Sequence, residues 1–190
     1  MKILNTIIAL AMLTTLTANA QTAMNVVSKS TSSTATKEAT ISDLSWMDQS
    51  KMEKEISALS DLTQTKLGAP IRTDLSDLET LQRLIDQNIV EQDDYATQQA
   101  MGVALGRLIL ADFPTTFEWK IYEDEVGRSR ALCIKKTSEC LFPVTMLSRR
   151  MEVGSKPNVK QVHNDAILRM EKFLPKLPYD GGIMYKLPRK

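Results

Sequence analysis

The hydrophobic pattern of this chain changes its period at Pro114, and this change constrains the fold more than any other feature of the sequence. Before Pro114, apolar residues recur at mostly three- and four-residue spacing, which is typical of amphipathic helices. After it, Phe117, Trp119 and Ile121 alternate with polar residues, which is typical of a half-buried strand. A block of helices followed by a block of strands predicts an α+β fold with an antiparallel sheet.

Three helices are predicted before the change of period. They are expected over residues 42–67, from residue 76 to about residue 88, and from residue 93 or 94 to residue 113. Ser50-x-x-Glu53 is a candidate capping box inside the first helix, and Gly68 followed by Pro70 marks its end. Pro114 ends the third helix because proline cannot continue it.

Gly102 and Gly106 lie one turn apart on the third predicted helix. Glycine costs a helix interior about 1 kcal/mol relative to alanine, so the pair needs a structural reason. The expected reason is a close backbone contact with another element, rather than a ligand site. The inward side of this helix is predicted to carry Met101, Leu105, Leu108 and Ile109.

Three antiparallel strands and two further helices are predicted after Pro114. The strands are expected over residues 117–122, 131–135 and 139–142, with a polar turn over residues 123–128. A short helix is expected over residues 145–152, and a final helix carries an apolar stripe over residues 159–173 until Pro175 ends it. The predicted fold is therefore three N-terminal helices, a three-stranded antiparallel meander and a C-terminal helix, which share one core within residues 42–174.

Residues 1–20 have the pattern of a secretory signal peptide. Lys2 precedes an apolar run over residues 3–13, and Ala18-Asn19-Ala20 is a small-x-small cleavage site. The apolar run is too short to span a bilayer comfortably, and no cysteine stands at the cleavage site to take a lipid anchor. We expect cleavage after Ala20 and release of a soluble protein, without a stable membrane anchor, into the periplasm or, as the alternative, the medium.

Two terminal segments are predicted to lie outside the core. Residues 21–41 are rich in Ser, Thr and Ala and contain no aromatic residue, which predicts a disordered leader. Residues 175–190 repeat Lys-Leu-Pro on either side of a Tyr-Asp-Gly-Gly turn. This C-terminal tail is predicted either to pack on the core or to dock a partner.

The two cysteines flank a polar centre at Lys136-Thr137-Ser138 that predicts a hairpin turn. If the turn is centred between Lys136 and Thr137, Cys133 faces Cys140 directly across two antiparallel strands. Export favours oxidation, so the interpretation is a structural disulfide, worth about 2 to 3 kcal/mol, with two buried thiols as the alternative. A redox site is less favoured because the pair lacks Cys-x-x-Cys spacing and a nearby histidine.

Charge and motif content argue against several classes of function. Removal of residues 1–20 takes away Lys2 alone and leaves 23 Lys+Arg against 23 Asp+Glu, whereas a nucleic-acid binder needs a clustered basic excess. Phosphate-binding glycine loops, nucleophile elbows, dinucleotide fingerprints and zinc-binding helices are missing from the sequence. We therefore expect no catalytic, cofactor-binding or metal-binding residues. The one histidine, His163, is predicted at the surface or boundary of the final helix, with a general base beside Asp165 as the alternative.

Two segments are candidate contacts for an unidentified protein partner. The acidic trio is interpreted as a solvated hairpin tip rather than a divalent-cation site, and if it is functional we expect it to contact a basic patch on that partner. Tail aromatics would suit an interface. The candidate contact residues are Glu123, Asp124, Glu125, Tyr179 and Tyr185. A modest positive cluster is interpreted as a solvated face and comprises Arg149, Arg150, Lys156 and Lys160.

Four segments within residues 80–152 form an ordered series. They are Leu81-Gln82-Arg83-Leu84-Ile85-Asp86, Gln99-Ala100-Met101-Gly102-Val103-Ala104-Leu105-Gly106, Trp119 with Glu123-Asp124-Glu125-Val126-Gly127-Arg128, and Leu141-Phe142-Pro143-Val144-Thr145-Met146-Leu147-Ser148-Arg149-Arg150. Together they resemble a bacterial family described as domain of unknown function 3806. The resemblance implies a small bacterial α+β domain and supplies no catalytic residues, and the two cysteines are not part of its pattern.

The expected function follows from the predicted export and from the lack of catalytic, cofactor-binding and metal-binding motifs in the sequence. A small, neutral, exported protein without a catalytic motif is expected to act by surface complementarity. The leading hypothesis is a non-catalytic binding protein of the bacterial envelope, such as an inhibitor or immunity protein that occludes an exported toxin or hydrolase. One alternative is an envelope enzyme with a site that includes His163, and the other is a structural or assembly factor of an envelope complex.

Overall fold

The structure is a computed structural model and describes residues 38–176. It has an α+β fold of five α-helices and a four-stranded antiparallel sheet. In chain order the elements are β1 (Thr40–Asp43), α1 (Trp46–Leu67), α2 (Ser76–Asp86), α3 (Tyr95–Asp112), β2 (Phe117–Glu123), β3 (Arg128–Ile134), β4 (Cys140–Leu141), α4 (Pro143–Met151), α5 (Val159–Arg169) and a final 3₁₀ turn (Glu171–Phe173). The predicted signal peptide, most of the predicted leader and most of the predicted tail lie outside the described residues.

The sheet has the order β1-β2-β3-β4, so the prediction of three strands is wrong. The additional strand, β1, pairs antiparallel with β2, with Thr40 opposite Glu123 and Asp43 opposite Lys120. It spans only four residues, two of them in the predicted leader, and Ile41 is its single large apolar residue. Backbone pairing and the Lys120 Nζ to Asp43 Oδ1 contact of 2.6 Å hold this edge strand, so hydrophobic alternation could not reveal it.

Helix α1 begins four residues later than predicted, at a capping box formed by Ser45 and Asp48 instead of Ser50 and Glu53. Ser45 is the N-cap, and its Oγ accepts the backbone N–H of Asp48 at 3.2 Å. The Asp48 carboxylate accepts in return from the backbone N–H of Ser45 at 3.0 Å. These reciprocal bonds satisfy donors that a helix start otherwise leaves unpaired. The end of α1 at Gly68, which adopts a left-handed φ of 68°, is as predicted.

The main core lies between the sheet and helices α2, α3 and α5. The four inward residues predicted on α3 are all buried. A Cβ on Gly102 would lie 2.5 Å from the carbonyl oxygen of Pro143, and one on Gly106 would lie 2.5 Å from Cζ2 of Trp119. The prediction of close contacts at both glycines is therefore confirmed, and α4 and β2 are the elements that approach them.

The C-terminal half follows the predicted order with shifted bounds. Helix α4 begins at Pro143, and the final helix stops at Arg169 before the separate 3₁₀ turn. Cys133 pairs directly with Cys140 across β3 and β4, as the turn position predicts, and the two residues are joined by a disulfide. Within residues 38–176, none of the helices is long and apolar enough to cross a membrane.

Candidate functional site

Two arginines on β3 fasten the sheet to helix α1. Arg128 and Arg130 are two residues apart on a strand and therefore share the face that also carries Leu132. Arg128 Nη2 donates to both carboxylate oxygens of Asp48, at 2.9 and 2.8 Å. Arg130 pairs with Glu55 through both terminal guanidinium nitrogens and is only 8% exposed. These two arginines serve the fold, because their charges are matched by carboxylates of the same chain.

The Asp48 carboxylate accepts hydrogen bonds from both Arg128 and Ser45 in this contact. Hydrogen bonds from the Arg128 guanidinium and from Ser45 lower the pKa of Asp48 from 3.8 to about 2. The same partnership raises the pKa of Arg128 above its usual value. Asp48 therefore stays ionised across the physiological pH range, and its pairing with Arg128 persists there.

Three further arginines surround a hollow between α4 and α5. Arg149 and Arg150 lie in the last turn of α4, and Arg169 is the last residue of α5. Arg150 Nη1 donates to the carbonyl of Met146 on its own helix. Among residues 38–176, no carboxylate lies within ion-pair distance of Arg149 or Arg169, and Asp165 is the one acidic residue that lines this hollow of about 210 Å³. The hollow therefore has an excess of positive charge.

Phe142 and Thr145 connect this hollow to two others. Both residues line the hollow between α4 and α5, a second one of about 270 Å³ beside the β2–β3 hairpin, and a third one of about 210 Å³ beside α1. Phe142 packs edge to face against Tyr122, with ring centroids 5.0 Å apart. We name this continuous surface the arginine face, and it consists of Arg128, Phe142, Thr145, Arg149, Arg150 and Arg169.

The predicted acidic tip borders the arginine face but is not one acidic patch. The side chain of Asp124 is turned inward, where its Oδ1 accepts the backbone N–H groups of Val126 at 2.8 Å and Gly127 at 3.1 Å. Glu123 lies opposite Arg128 in the strand register and interacts with its charge. Glu125 is exposed, and Val126 is 84% exposed at the apex. The hairpin tip (residues 123–127) therefore presents one carboxylate and one apolar side chain to solvent.

The other predicted site residues fall in different places. Tyr179 and Tyr185 lie outside the described residues. Of the predicted positive cluster, Arg149 and Arg150 belong to the arginine face, whereas Lys160 Nζ lies 3.3 Å from Glu79 and Lys156 lines a separate hollow beside Gln92. The sequence analysis missed Arg128 and Arg169 as members of one surface, because they come from elements that only the tertiary fold brings together.

His163 is fully buried, so the prediction of a surface or boundary position is wrong. Helix α5 packs against α2, α3 and α4 and therefore buries more than one narrow stripe. The His163 Nε2 lies 4.0 Å from Asp112 Oδ2 at the end of α3, while Asp165 is exposed. Burial lowers the pKa of His163 from 6.5 to about 4, against the opposing effect of a hydrogen bond with Asn164. The imidazole is therefore neutral at pH 7.

A family model matches residues 77–163, and its description is domain of unknown function 3806 (DUF3806). The chain contains a DUF3806 domain. The predicted resemblance is thus confirmed, with wider bounds. The DUF3806 domain includes every residue of the arginine face except Arg169, and it excludes α1 with Asp48 and Glu55. The ion pairs between β3 and α1 therefore join the DUF3806 domain to the segment that precedes it.

A crystal structure of a protein from Bacteroides thetaiotaomicron VPI-5482 is similar to this chain, with a TM-score of 0.62 and 16% sequence identity. The match covers 70% of this chain and 48% of that chain, so this chain spans about half the length of the protein it matches. At this identity the match shows a shared fold alone. The comparison with curated proteins found no match. Within residues 38–176, no group of His, Cys, Asp and Glu side chains comes together that could hold a metal ion.

Proposed function

We propose that this chain is an exported, non-catalytic binding module of the bacterial envelope, and that it occludes a partner protein as an inhibitor or immunity protein does. The proposal includes cleavage after Ala20 and a periplasmic location, which rest on the signal-peptide pattern of residues 1–20. Its binding surface is the hairpin tip together with the adjoining arginine face. Tyr179 and Tyr185 of the tail remain candidate additional contacts.

The exposed apex beside the arginine face is the observation that carries this proposal. Val126 is 84% exposed and lines the same hollow as Tyr122, Phe142 and Arg149. A single exposed apolar side chain is common on protein surfaces, but beside the arginine face its burial at an interface would remove apolar area from water. Aromatic residues and arginine are the types most enriched where protein interfaces bind tightly.

The environment of His163 gives no support to the enzyme alternative. A general base must come within hydrogen-bond reach of a substrate proton, and this imidazole is 0% exposed. Its neighbours on α3 and α5, Asp112 and Asn164, are explained by packing and by local hydrogen bonding. A binding module is favoured because the four arginines of the arginine face are exposed, whereas the one histidine is buried.

Affinity capture from an envelope extract of the source bacterium tests the proposal. The full chain and two variants, Val126→Asp and Val153→Asp, are used as baits, and bound proteins are quantified by mass spectrometry. Val153 is the matched control because it is 79% exposed and lines none of the three hollows of the arginine face. The expected result is one stoichiometric partner that the Val126→Asp bait loses and the Val153→Asp bait keeps.

Two outcomes would contradict the proposal in different ways. A partner that all three baits retain equally would exclude the hairpin tip from the interface. Absence of any stoichiometric partner from baits whose circular dichroism spectra match that of a folded chain would contradict a binding module. A bait that lacks residues 177–190 tests the tail contacts in the same experiment, since loss of the partner with this bait would assign Tyr179 and Tyr185 or their neighbours to the interface.

A further inference from the structure

We infer that the arginine face recognises an acidic peptide segment of the partner, with its carboxylates seated beside Arg149 and Arg169. This inference rests on the proposed function and names the chemistry of the partner. It reverses the expectation from the sequence, in which an acidic tip was to contact a basic patch. The reason for the reversal is that Asp124 of the tip is used within the fold, whereas Arg149 and Arg169 have no carboxylate partner among the described residues.

The fold already uses three of the carboxylates near this surface, whereas Glu125 and Asp165 are exposed. Asp48 is held by Arg128, Asp124 caps the backbone of the hairpin tip, and Glu123 interacts with the charge of Arg128. Arg149 and Arg169 are in the opposite position, because within the described residues neither has a carboxylate in ion-pair distance. Guanidinium groups bind carboxylates through paired, charge-assisted hydrogen bonds. These two arginines can therefore still form such bonds with carboxylates of another protein.

The arrangement of the hollows favours an extended segment over a single small anion. Arg149 lines both the hollow that contains Arg169 and the hollow that contains Arg128. Phe142 and Thr145 lie in the lining of both, so a chain that crosses them would meet cationic groups at each end and an aromatic ring between them. Alternate side chains of an extended peptide point the same way about 7 Å apart, which lets successive carboxylates enter successive hollows.

The overall charge favours an acidic protein segment over larger polyanions. The full chain has a formal net charge of +1, whereas proteins that bind duplex nucleic acid or anionic membranes neutralise many phosphates with a clustered excess of cations. The unmatched charge is confined to a few arginines of one surface. A short acidic segment on another protein needs no more than that.

Fluorescence anisotropy with a labelled hexaglutamate peptide tests the inference directly, with hexaglutamine as the control peptide. The full chain is compared with Arg149→Glu, Arg169→Glu and the double variant. Arg72→Glu is the matched control, because it makes the same charge change at an exposed residue beyond the far end of α1 from Asp48. We expect binding of hexaglutamate alone, a loss of about tenfold in affinity per arginine and little change for Arg72→Glu.

Several results would overturn the inference. Equal losses in Arg72→Glu and Arg149→Glu would show that net charge alone drives binding, and absence of hexaglutamate binding by a folded chain would remove its basis. Tighter binding to anionic lipid vesicles or to duplex DNA than to hexaglutamate would assign the surface to a different class of ligand. Melting temperatures of all variants close to that of the parent chain ensure that a loss of binding is not a loss of folding.

The capture experiment separates failure of this inference from failure of the proposed function. A partner that is lost with Val126→Asp but retained by the Arg149→Glu and Arg169→Glu double variant would leave the binding module intact and overturn the acidic recognition. Loss of the same partner with both sets of variants, together with hexaglutamate competition, would support both. Binding of hexaglutamate by a chain that captures no partner would contradict the proposed function alone.

Discussion

Helices α1 and α3 pack against the same sheet, yet their contacts have opposite chemistry. Only four of the 22 residues of α1 are buried, and two ion pairs join it to β3 in addition to the apolar contacts of Met52 and Leu59. Ten of the 18 residues of α3 are buried, and two glycines let α4 and Trp119 approach its backbone. The comparison teaches that one fold can hold its helices by charge or by shape, and these two kinds of contact should respond differently to mutation and to acid.

Gly102→Ala is expected to have the largest effect, because it tests the contact by shape. The added Cβ would lie 2.5 Å from the Pro143 carbonyl oxygen and 2.6 Å from Cα of Val144, and both are backbone atoms that cannot rotate away. We expect a loss of about 3 kcal/mol or more in the free energy of unfolding, measured by urea denaturation. An alanine in an uncrowded helix interior would instead add about 1 kcal/mol, so an unchanged or raised stability would disprove the tight contact.

Acidification from about pH 7 to about pH 4 is expected to weaken the packing of α5 against α3 through His163, which lies on α5 beside Asp112 of α3. Its pKa is about 4 when folded and 6.5 as the ordinary value, so the unfolded chain binds the proton first. The stabilisation is complete above pH 6.5, falls as the pH drops, and is lost at about pH 4, with a total of about 3 kcal/mol. Urea denaturation of the parent chain and of His163→Gln across this range measures it. A parent chain and variant with the same pH slope would contradict the assignment to this histidine.

Arg130→Met tests the contact by charge and is expected to cost about 2 kcal/mol, because it leaves the partly buried Glu55 without its guanidinium partner. The double variant with Glu55→Leu should recover most of this loss, since no uncompensated charge remains. Arg107→Met is the control, because its partner Glu53 is 70% exposed and the expected loss is below about 1 kcal/mol. Failure of the denaturation midpoint to recover in the double variant would show that the loss in Arg130→Met is not the cost of leaving the Glu55 charge uncompensated.

Asp48→Asn is expected to have the smallest effect, about 1 kcal/mol at neutral pH, because Arg128 is half exposed and solvent screens the pair. The depressed pKa of Asp48 stabilises the fold above pH 3.8, and this contribution is lost as the pH falls to about 2. The α1 side should thus weaken at lower pH than the packing of α5 against α3. Hydrogen exchange at α1 and α3 amides as a function of pH measures this order, and simultaneous loss of protection at both would remove the distinction.

The elements that pack through apolar side chains could be predicted from the sequence. Much of what polar contacts and backbone pairing hold in place could not. The apolar spacing on α3, the proline that ends it and the turn between the cysteines each leave a local signature. The capping box at Ser45 and Asp48 was missed, because Ser50 and Glu53 offer the same spacing inside the helix. Strand β1 has no signature of its own, since it is ordered by pairing with β2.

The candidate site was predictable only in fragments. Residues 123–125 were identified as a hairpin tip from their composition, but the inward turn of Asp124 depends on backbone geometry at Gly127. The arginine face gathers residues from β3, α4 and α5, and no spacing along the chain indicates that they share a surface. His163 was misplaced because one-dimensional periodicity assigns a helix one apolar side, whereas α5 is enclosed by three neighbours.

The position of β1 sets an order of events during folding. Thr40 lies 83 residues before the strand residue that it meets, Glu123, and helices α1, α2 and α3 occupy most of the intervening chain. Closing so long a loop costs entropy before any pairing is gained, whereas the β3–β4 hairpin closes within a few residues. We therefore expect β1, the first strand to be synthesised, to pair with β2 after the other strands have paired. A nascent chain that ends before residue 117 contains β1 without any strand that could pair with it.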